Sequence, residues 1–418
     1  MAIALGVHRK RLAAIANGLA VAVAVSLPWS VSATSILLVL WLIALIPTLD
    51  WDDVRRQLAS AAGSLPVLLF LLGALGMAWA DAGWHARLGG LDSFVRLLTV
   101  PLLMAQFSTT DGGRRVLLGF LASCAVLLIA SYAVAAFPHI HERPPGNDGV
   151  PVKSYIVQSL EFTMCAAVLA HLAWTKAAAR QWVYAAATGA LALAFLADIF
   201  FVVTGRTTLV VIPVLVIAYG FWRSGWKGLV MAGAGGAAIA AVVWFASPYL
   251  RERVGSIYSE TEVYEHSNTE ITSAGLRLEF WKKSIRFIAS APIIGHGTGS
   301  ITEEFDRTVQ GQEGARGALS GNPHNQTFTV GIQLGLAGIA LLWAMWIAQL
   351  LSFRGAGVVA WTGLVVVTAN IVGSLFNSFI FDFTEGWIYI FGFGVAAGIM
   401  QRQTKHEAGG QARRSTVP

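Results

Sequence analysis

A histidine and an amide side chain stand at the head of a long apolar run, in Gly321-Asn322-Pro323-His324-Asn325, with Gly335 and Gly338 further along the same run. An imidazole titrates near neutral pH and can move a proton at a membrane boundary. A helix starting just after it offers free N–H groups and a partial positive charge to an anion. A lipid-linked phosphate is the natural occupant of such a place. The plainer alternative is a helix cap, with Pro323 in the first turn and Asn325 as a polar interfacial residue. Gly331, Gly335 and Gly338 favour the functional option, because they let a neighbouring helix approach closely and hold the histidine end against protein rather than lipid.

Arg206, in Thr204-Gly205-Arg206-Thr207-Thr208, lies between two apolar runs that leave almost no loop. Its guanidinium is a planar fork of donors suited to a diphosphate, against the alternative of snorkelling to headgroups. Arg87, Arg143, Lys153, Arg251, Arg253 and Arg277 are further cations expected on the same side, and two of them are expected to join Arg206. Arg143 sits in a His-Ile-His-Glu-Arg-Pro-Pro segment, and Arg277 opens an amphipathic one. Glu161 and Asp198 fall inside apolar runs, where carboxylates are costly and are usually paired or functional. Asp198 precedes Arg206 by eight residues, about two helical turns, so an ion pair between them, direct or bridged, is expected. Asp382 and Glu385, beside Trp387, are placed to orient a sugar hydroxyl. Gly295-His296-Gly297-Thr298-Gly299-Ser300 has the composition of a phosphate cradle but follows no strand, and reads as a turn ending a helix. There is no P-loop lysine pattern, no His-Glu-x-x-His and no Asp-x-Asp pair in these outer loops, so neither a metal nor a cofactor is expected.

The elements that must position these residues follow from composition. The chain has 418 residues, 56% hydrophobic and 12% charged, where a soluble domain carries about 25% charged. Its apolar runs are near the ~20 residues needed to cross a bilayer core. About twelve spans are expected, near 13–30, 33–49, 63–80, 94–109, 116–137, 155–174, 181–203, 207–222, 227–246, 325–350, 356–376 and 384–400. Basic residues cluster at alternate ends of these runs, which places both termini in the cytoplasm and His324, Arg206 and the long polar segment outside. That pattern, rather than nucleic-acid binding, explains a pI of 9.5. A cleaved leader over 9–33 is disfavoured because a second span begins at once. Cys124 and Cys165 lie inside apolar runs, so no disulfide framework is expected.

The chain therefore divides into spans one to nine over 1–246, a polar loop over 247–323, three further spans over 324–400 and a tail over 401–418. Within the loop, 277–290 has Leu278, Trp281, Ile285 and Ile288 at helical spacing with Glu279, Lys282, Lys283 and Arg286 opposite, which predicts an amphipathic helix. Residues 251–270, rich in glutamate, read as solvated.

His324-Asn325, nine residues, Gly335, two residues and Gly338 resemble the signature of O-antigen ligases, His-[Asn/Ser/Gln]-x9-Gly-x-x-[Gly/Thr/Tyr]. The resemblance extends to the span count, the long loop before the signature, the outer arginine, and Arg277…Trp281…Ala291-Pro292-Ile-Ile-Gly295-His-Gly297, which is similar to a motif of the wider ligase and polymerase superfamily. It implies an all-α polytopic integral membrane protein of the bacterial inner membrane, with about 12 transmembrane helices and one long periplasmic loop, glycosyltransferase-C-like. It implies transfer of a glycan from undecaprenyl diphosphate to a sugar hydroxyl of lipid A–core at the periplasmic face, among membrane lipids and without nucleic acid. In that scheme His324 is the base, and Arg206, Arg143 and Arg277 hold the diphosphate. Asn325, Asp198 and Glu161 support them, and transfer is inverting and metal-independent. An O-antigen polymerase or a pilin-type oligosaccharyltransferase of the same superfamily is the alternative. A glycan transporter is disfavoured, since no symmetry-related halves or paired broken helices are visible.

Overall fold

The computed structural model describes residues 2–137, 149–203, 205–266, 271–309, 311–312 and 314–415. Among them the secondary structure is helical throughout, without strands. A backbone inside lipid must satisfy its own polar groups, and the helix does so within one segment. The helices are α1 (Ala2–Ser26), α2 (Val31–Leu45), α3 (Trp51–Leu58), α4 (Ala61–Gly76), α5 (Trp84–Val95), α6 (Thr99–Thr109), α7 (Gly113–Ala136) and α8 (Tyr155–Ala178). They continue as α9 (Trp182–Phe201), α10 (Thr208–Ala246), α11 (Pro248–His266), α12 (Ser273–Ser290), α13 (Ile301–Val309), α14 (Gln326–Leu351), α15 (Val358–Gly373) and α16 (Phe383–Ser415). Side-chain oxygens of Ser30, Ser60, Ser154 and Asn325 cap α2, α4, α8 and α14 by accepting from the first turn.

The protein is a multi-pass membrane protein. Among the described residues, eight helices are long and apolar enough to cross a membrane, or nine if α3 and α4, bent by 83°, form one broken span. The expected twelve also counted α1, the shorter α15 and two spans within α10. Helix α10 is in fact broken at Ser224 and Gly225, whose φ/ψ are non-helical. Its arms fold back so tightly that a Cβ on Gly228 would lie 1.9 Å from the Gly220 carbonyl oxygen. The expected span at 94–109 starts earlier: α5, a short 3-10 turn and α6 form one apolar stretch over Trp84–Thr109. Buried Trp41, Trp346, Trp361 and Tyr389 anchor the core, with α16 packed on α6 and α15, and α14 on α4.

The polar loop is ordered by packing. The glutamate-rich stretch expected to be solvated forms α11, which contacts α9, α10 and α12. Helix α12 forms as predicted, but its buried face differs. Glu279 and Lys283 are buried with Phe280, Ser284 and Phe287, while Ile285 is 57% exposed. The reason is tertiary: Phe280 and Phe287 pack on Phe305 of α13, and residues up to 318 cover what a helical wheel assigns to water. Cys124 and Cys165 are buried free thiols.

Candidate functional site

The site forms where the chain enters α14. Asn322 Oδ1 accepts from the His324 backbone N–H at 2.8 Å and from Ser378 Oγ at 2.7 Å, closing a tight turn. His324 is thereby held at φ +54°, a left-handed conformation rare for a residue with a side chain. Asn325 is extended and caps α14, accepting from Phe328 N at 3.1 Å and donating to the Leu375 carbonyl at 2.9 Å. Its role is to fix the turn that presents His324. Pro323, expected in the first helical turn, lies before the cap.

The His324 ring stacks on Phe280 of α12, with centroids 6.3 Å apart and planes 21° apart. Its Nδ1 is 3.2 Å from Asn377 Oδ1. An amide oxygen only accepts, so Nδ1 carries the proton and Nε2 keeps its lone pair. Burial, then the charge of Arg277, hold the imidazole below its ordinary pKa, opposed by the Asn377 hydrogen bond. Both causes favour the neutral imidazole. Asn377 was not picked out in the sequence; it lies 53 residues away in the α15–α16 connection, and no local pattern marks it.

Arg277 couples this imidazole to Arg206. Burial lowers the Arg277 pKa, with Tyr155 and Glu260 opposing and Arg206 adding to the shift, so its charge is felt at both ends of the site. Among the described residues Arg277 makes no ion pair. Arg206 is gripped from α11: Nη1 donates to Glu260 Oε2 at 3.0 Å, and Nη2 to Ser256 Oγ at 3.0 Å and to Glu260 Oε1. The expected pair of Arg206 with Asp198 is therefore corrected. Asp198 is fully buried in α9 and takes a 2.6 Å hydrogen bond from Ser131, while Glu260, from the stretch read as solvated, holds the arginine. Two turns of sequence spacing do not align the groups, because α9 ends at Phe201, before Arg206, and the guanidinium is held by α11.

Glu161 is fully buried in α8 and is not brought to His324; the charges facing it are Lys153 and Glu385. Asp382 and Glu385 are likewise turned inward. Arg96 Nη1 donates to the Asp382 carbonyl at 2.6 Å, and burial raises the Asp382 carboxyl to about 6. Lys153 donates to Thr384 Oγ1 at 2.9 Å and to the Leu27 carbonyl. This buried cluster anchors the α15–α16 connection, whose other end carries Asn377 and Ser378. Of the remaining cations, Arg87 and Arg251 donate to backbone carbonyls, at 2.8 Å to Ala82 and 2.6 Å to Trp244 respectively. Arg143 and the side chain of Arg253 lie outside the described residues.

The glycines of the motif have a backbone function. Gly335 sits at φ +59°, breaking α14. Ile332 and Gln333 thereby accept from His296 N at 2.8 Å and Gly297 N at 2.9 Å, and Leu336 N donates to Pro292 O at 2.7 Å. A Cβ on Gly335 would lie 2.5 Å from the Ile293 carbonyl group, so this docking requires glycine. The Gly295–Ser300 turn is thus occupied by protein contacts, with Gly299 N donating to Gln333 Oε1 at 2.8 Å. His296 bonds the Phe287 carbonyl at 2.9 Å and lies 3.3 Å from Glu304. Among the described residues no three His, Cys, Asp or Glu side chains are grouped as a metal site requires. A separate cavity of about 540 Å³ among α1, α7, α8, α15 and α16 is lined by none of the site's charged groups.

Fold and site together define a multi-pass helical membrane protein with a histidine and two arginines gathered at one end of the bundle. Residues 190–343, a little over a third of the chain, match the family model described as O-Antigen ligase, which supports a relation to that family through this segment. The matched segment contains Arg206, Glu260, Arg277, His324 and the glycines of α14. A protein of Haemophilus influenzae described as "Uncharacterized protein" is 30% identical over 94 residues, 22% of this chain. That similarity spans 24% of the relative's own length.

Proposed function

We propose that the protein is an O-antigen ligase, moving a glycan from undecaprenyl diphosphate to a sugar hydroxyl of lipid A–core on the periplasmic side of the bacterial inner membrane. The observation that carries this is the His324 imidazole, with Nδ1 committed to Asn377, Nε2 without a hydrogen-bond partner among the described residues, and the charge of Arg277 acting on it. Nε2 takes the proton of the acceptor hydroxyl as its oxygen bonds to the anomeric carbon. The bond from that carbon to the phosphate oxygen breaks, and the lipid diphosphate leaves. One displacement inverts the carbon. The charge on the leaving group is met by Arg206 and Arg277, which offer fixed donors in a desolvated setting in place of a divalent cation. Asn325, Asn322 and Asn377 position the base, and Glu260 and Ser256 position Arg206. Glu161 and Asp198 act through the packing of α8 and α9. With outer basic residues sparse and inner ends rich in Lys and Arg, both termini are cytoplasmic.

Purified protein given polymer-bearing lipid donor, lipid A–core and excess chelator tests this. Polymer transferred to lipid A–core supports ligation. A longer polymer on the lipid carrier instead identifies a polymerase, and activity abolished by chelator and restored by magnesium refutes the metal-free scheme.

A further inference from the structure

On the flank of α12 away from His324 lies a polar groove of about 310 Å³, lined by Lys282, Lys283, Arg286 and Arg316, with Glu279 and Thr308. Among the described lining residues are four cations and one carboxylate. Lys283 is only 4% exposed, its Nζ donating to the Arg316 carbonyl at 2.5 Å and lying 5.9 Å from the Phe305 ring. Burial pushes this lysine's pKa down, Glu279 opposes, and Arg286 adds to the fall. Gathering Arg286 and Arg316 around a desolvated lysine is costly. Arg286 and Arg316 are exposed at the mouth, where their planar forks can meet the oxygens of a phosphate.

The position of the groove identifies its ligand. Phe280, which stacks on the His324 ring, follows Glu279 directly in α12, and Lys283 lies less than one turn beyond it. A turn rises about 5.4 Å, so the groove and the base occupy two sides of the same stretch of helix. We propose that this groove binds the phosphate groups of the acceptor glycan while the acceptor's sugar hydroxyl reaches His324. This rests on the assignment of the protein as a transferase acting on lipid A–core, and it makes a phosphorylated core oligosaccharide the preferred acceptor.

The test compares wild-type protein with the Arg286→Ala/Arg316→Ala double variant, at saturating donor, on intact acceptor and on acceptor stripped of phosphate. Loss of one charge-assisted contact corresponds to about a tenfold change in affinity. Wild type should therefore show a KM at least tenfold higher on the stripped acceptor. The variant should show that raised KM on both acceptors, with turnover at saturation within a few-fold of wild type. An equal loss for the variant on both acceptors, or no discrimination by wild type, overturns the proposal. A separate titration uses lipid-free phosphorylated core oligosaccharide and phosphatidylglycerol nanodiscs as probes. Binding of the oligosaccharide by wild type and not by the variant supports the groove even if no transfer to lipid A–core occurs, which would instead refute the ligase assignment. Arginine-dependent binding of phosphatidylglycerol alone assigns the groove to a lipid headgroup and overturns it.

Discussion

Replacing His324 by asparagine or glycine separates its chemistry from its structural cost. Holding a residue with a Cβ at φ +54° costs about 1–2 kcal/mol. Glycine relieves that strain but gives up the Phe280 stack, worth about 0.5–1.5 kcal/mol. It also gives up the hydrogen bond to Asn377, worth about 0.5–1.5 kcal/mol. These contributions nearly cancel, so His324→Gly should insert, purify and melt close to wild type. Asparagine tolerates the left-handed region and can still bond an amide, but cannot take up a proton at neutral pH. If His324 is the base, both variants should lose about 100- to 10,000-fold in transfer rate. At 1.36 kcal/mol per decade that is about 2.7–5.4 kcal/mol of barrier, well outside the stability change. The assay is single-turnover transfer with purified lipid-linked donor, alongside thermal unfolding in detergent. His324→Asn keeping more than about a tenth of the wild-type rate would show that the proton goes elsewhere.

The wild-type rate should rise with pH through one ionisation below the ordinary imidazole value and then level off, because burial and Arg277 disfavour the charged ring. Arg277→Gln removes the second cause, so the acidic limb of kcat/KM should move to higher pH; an unmoved limb would mean that the titrating group is not His324. Arg206→Lys keeps the charge but loses the two-pronged grip on Glu260 and Ser256, and transfer should fall about 10- to 100-fold. Glu260→Gln should be milder than Arg206→Gln, and equal losses in donor-saturated turnover would reduce Arg206 to a structural tie. Gly335→Ala should destabilise by at least about 1 kcal/mol through its positive φ and its clash with Ile293, read as a lower melting temperature, and an unchanged melting curve would exclude the docked break in α14.

The hydrophobic runs by themselves dictate a helical membrane protein, since only helices or closed barrels satisfy the backbone in lipid and these runs lack the alternation of barrel strands. His324 and Arg206 stood out as candidates in the sequence because a titratable or charged group at the edge of an apolar run is costly unless it is used, and Arg277 because it opens an amphipathic segment on the same side. The glycines of the motif were visible as residues, but their purpose was not. Close helix approach was expected, whereas Gly335 breaks α14 so that Pro292–Gly297 can pair with the exposed backbone. Glu260 as the partner of Arg206, Asn377 as the partner of His324 and the burial of Lys283 were decided only by tertiary packing. In each case the partner lies on another element, 53 or 54 residues away for the first two, and helical periodicity carries no information across that distance. Asp198 shows the converse: eight residues of spacing suggested a pair with Arg206, but the chain turns between them, and the carboxylate took the nearer hydroxyl of Ser131.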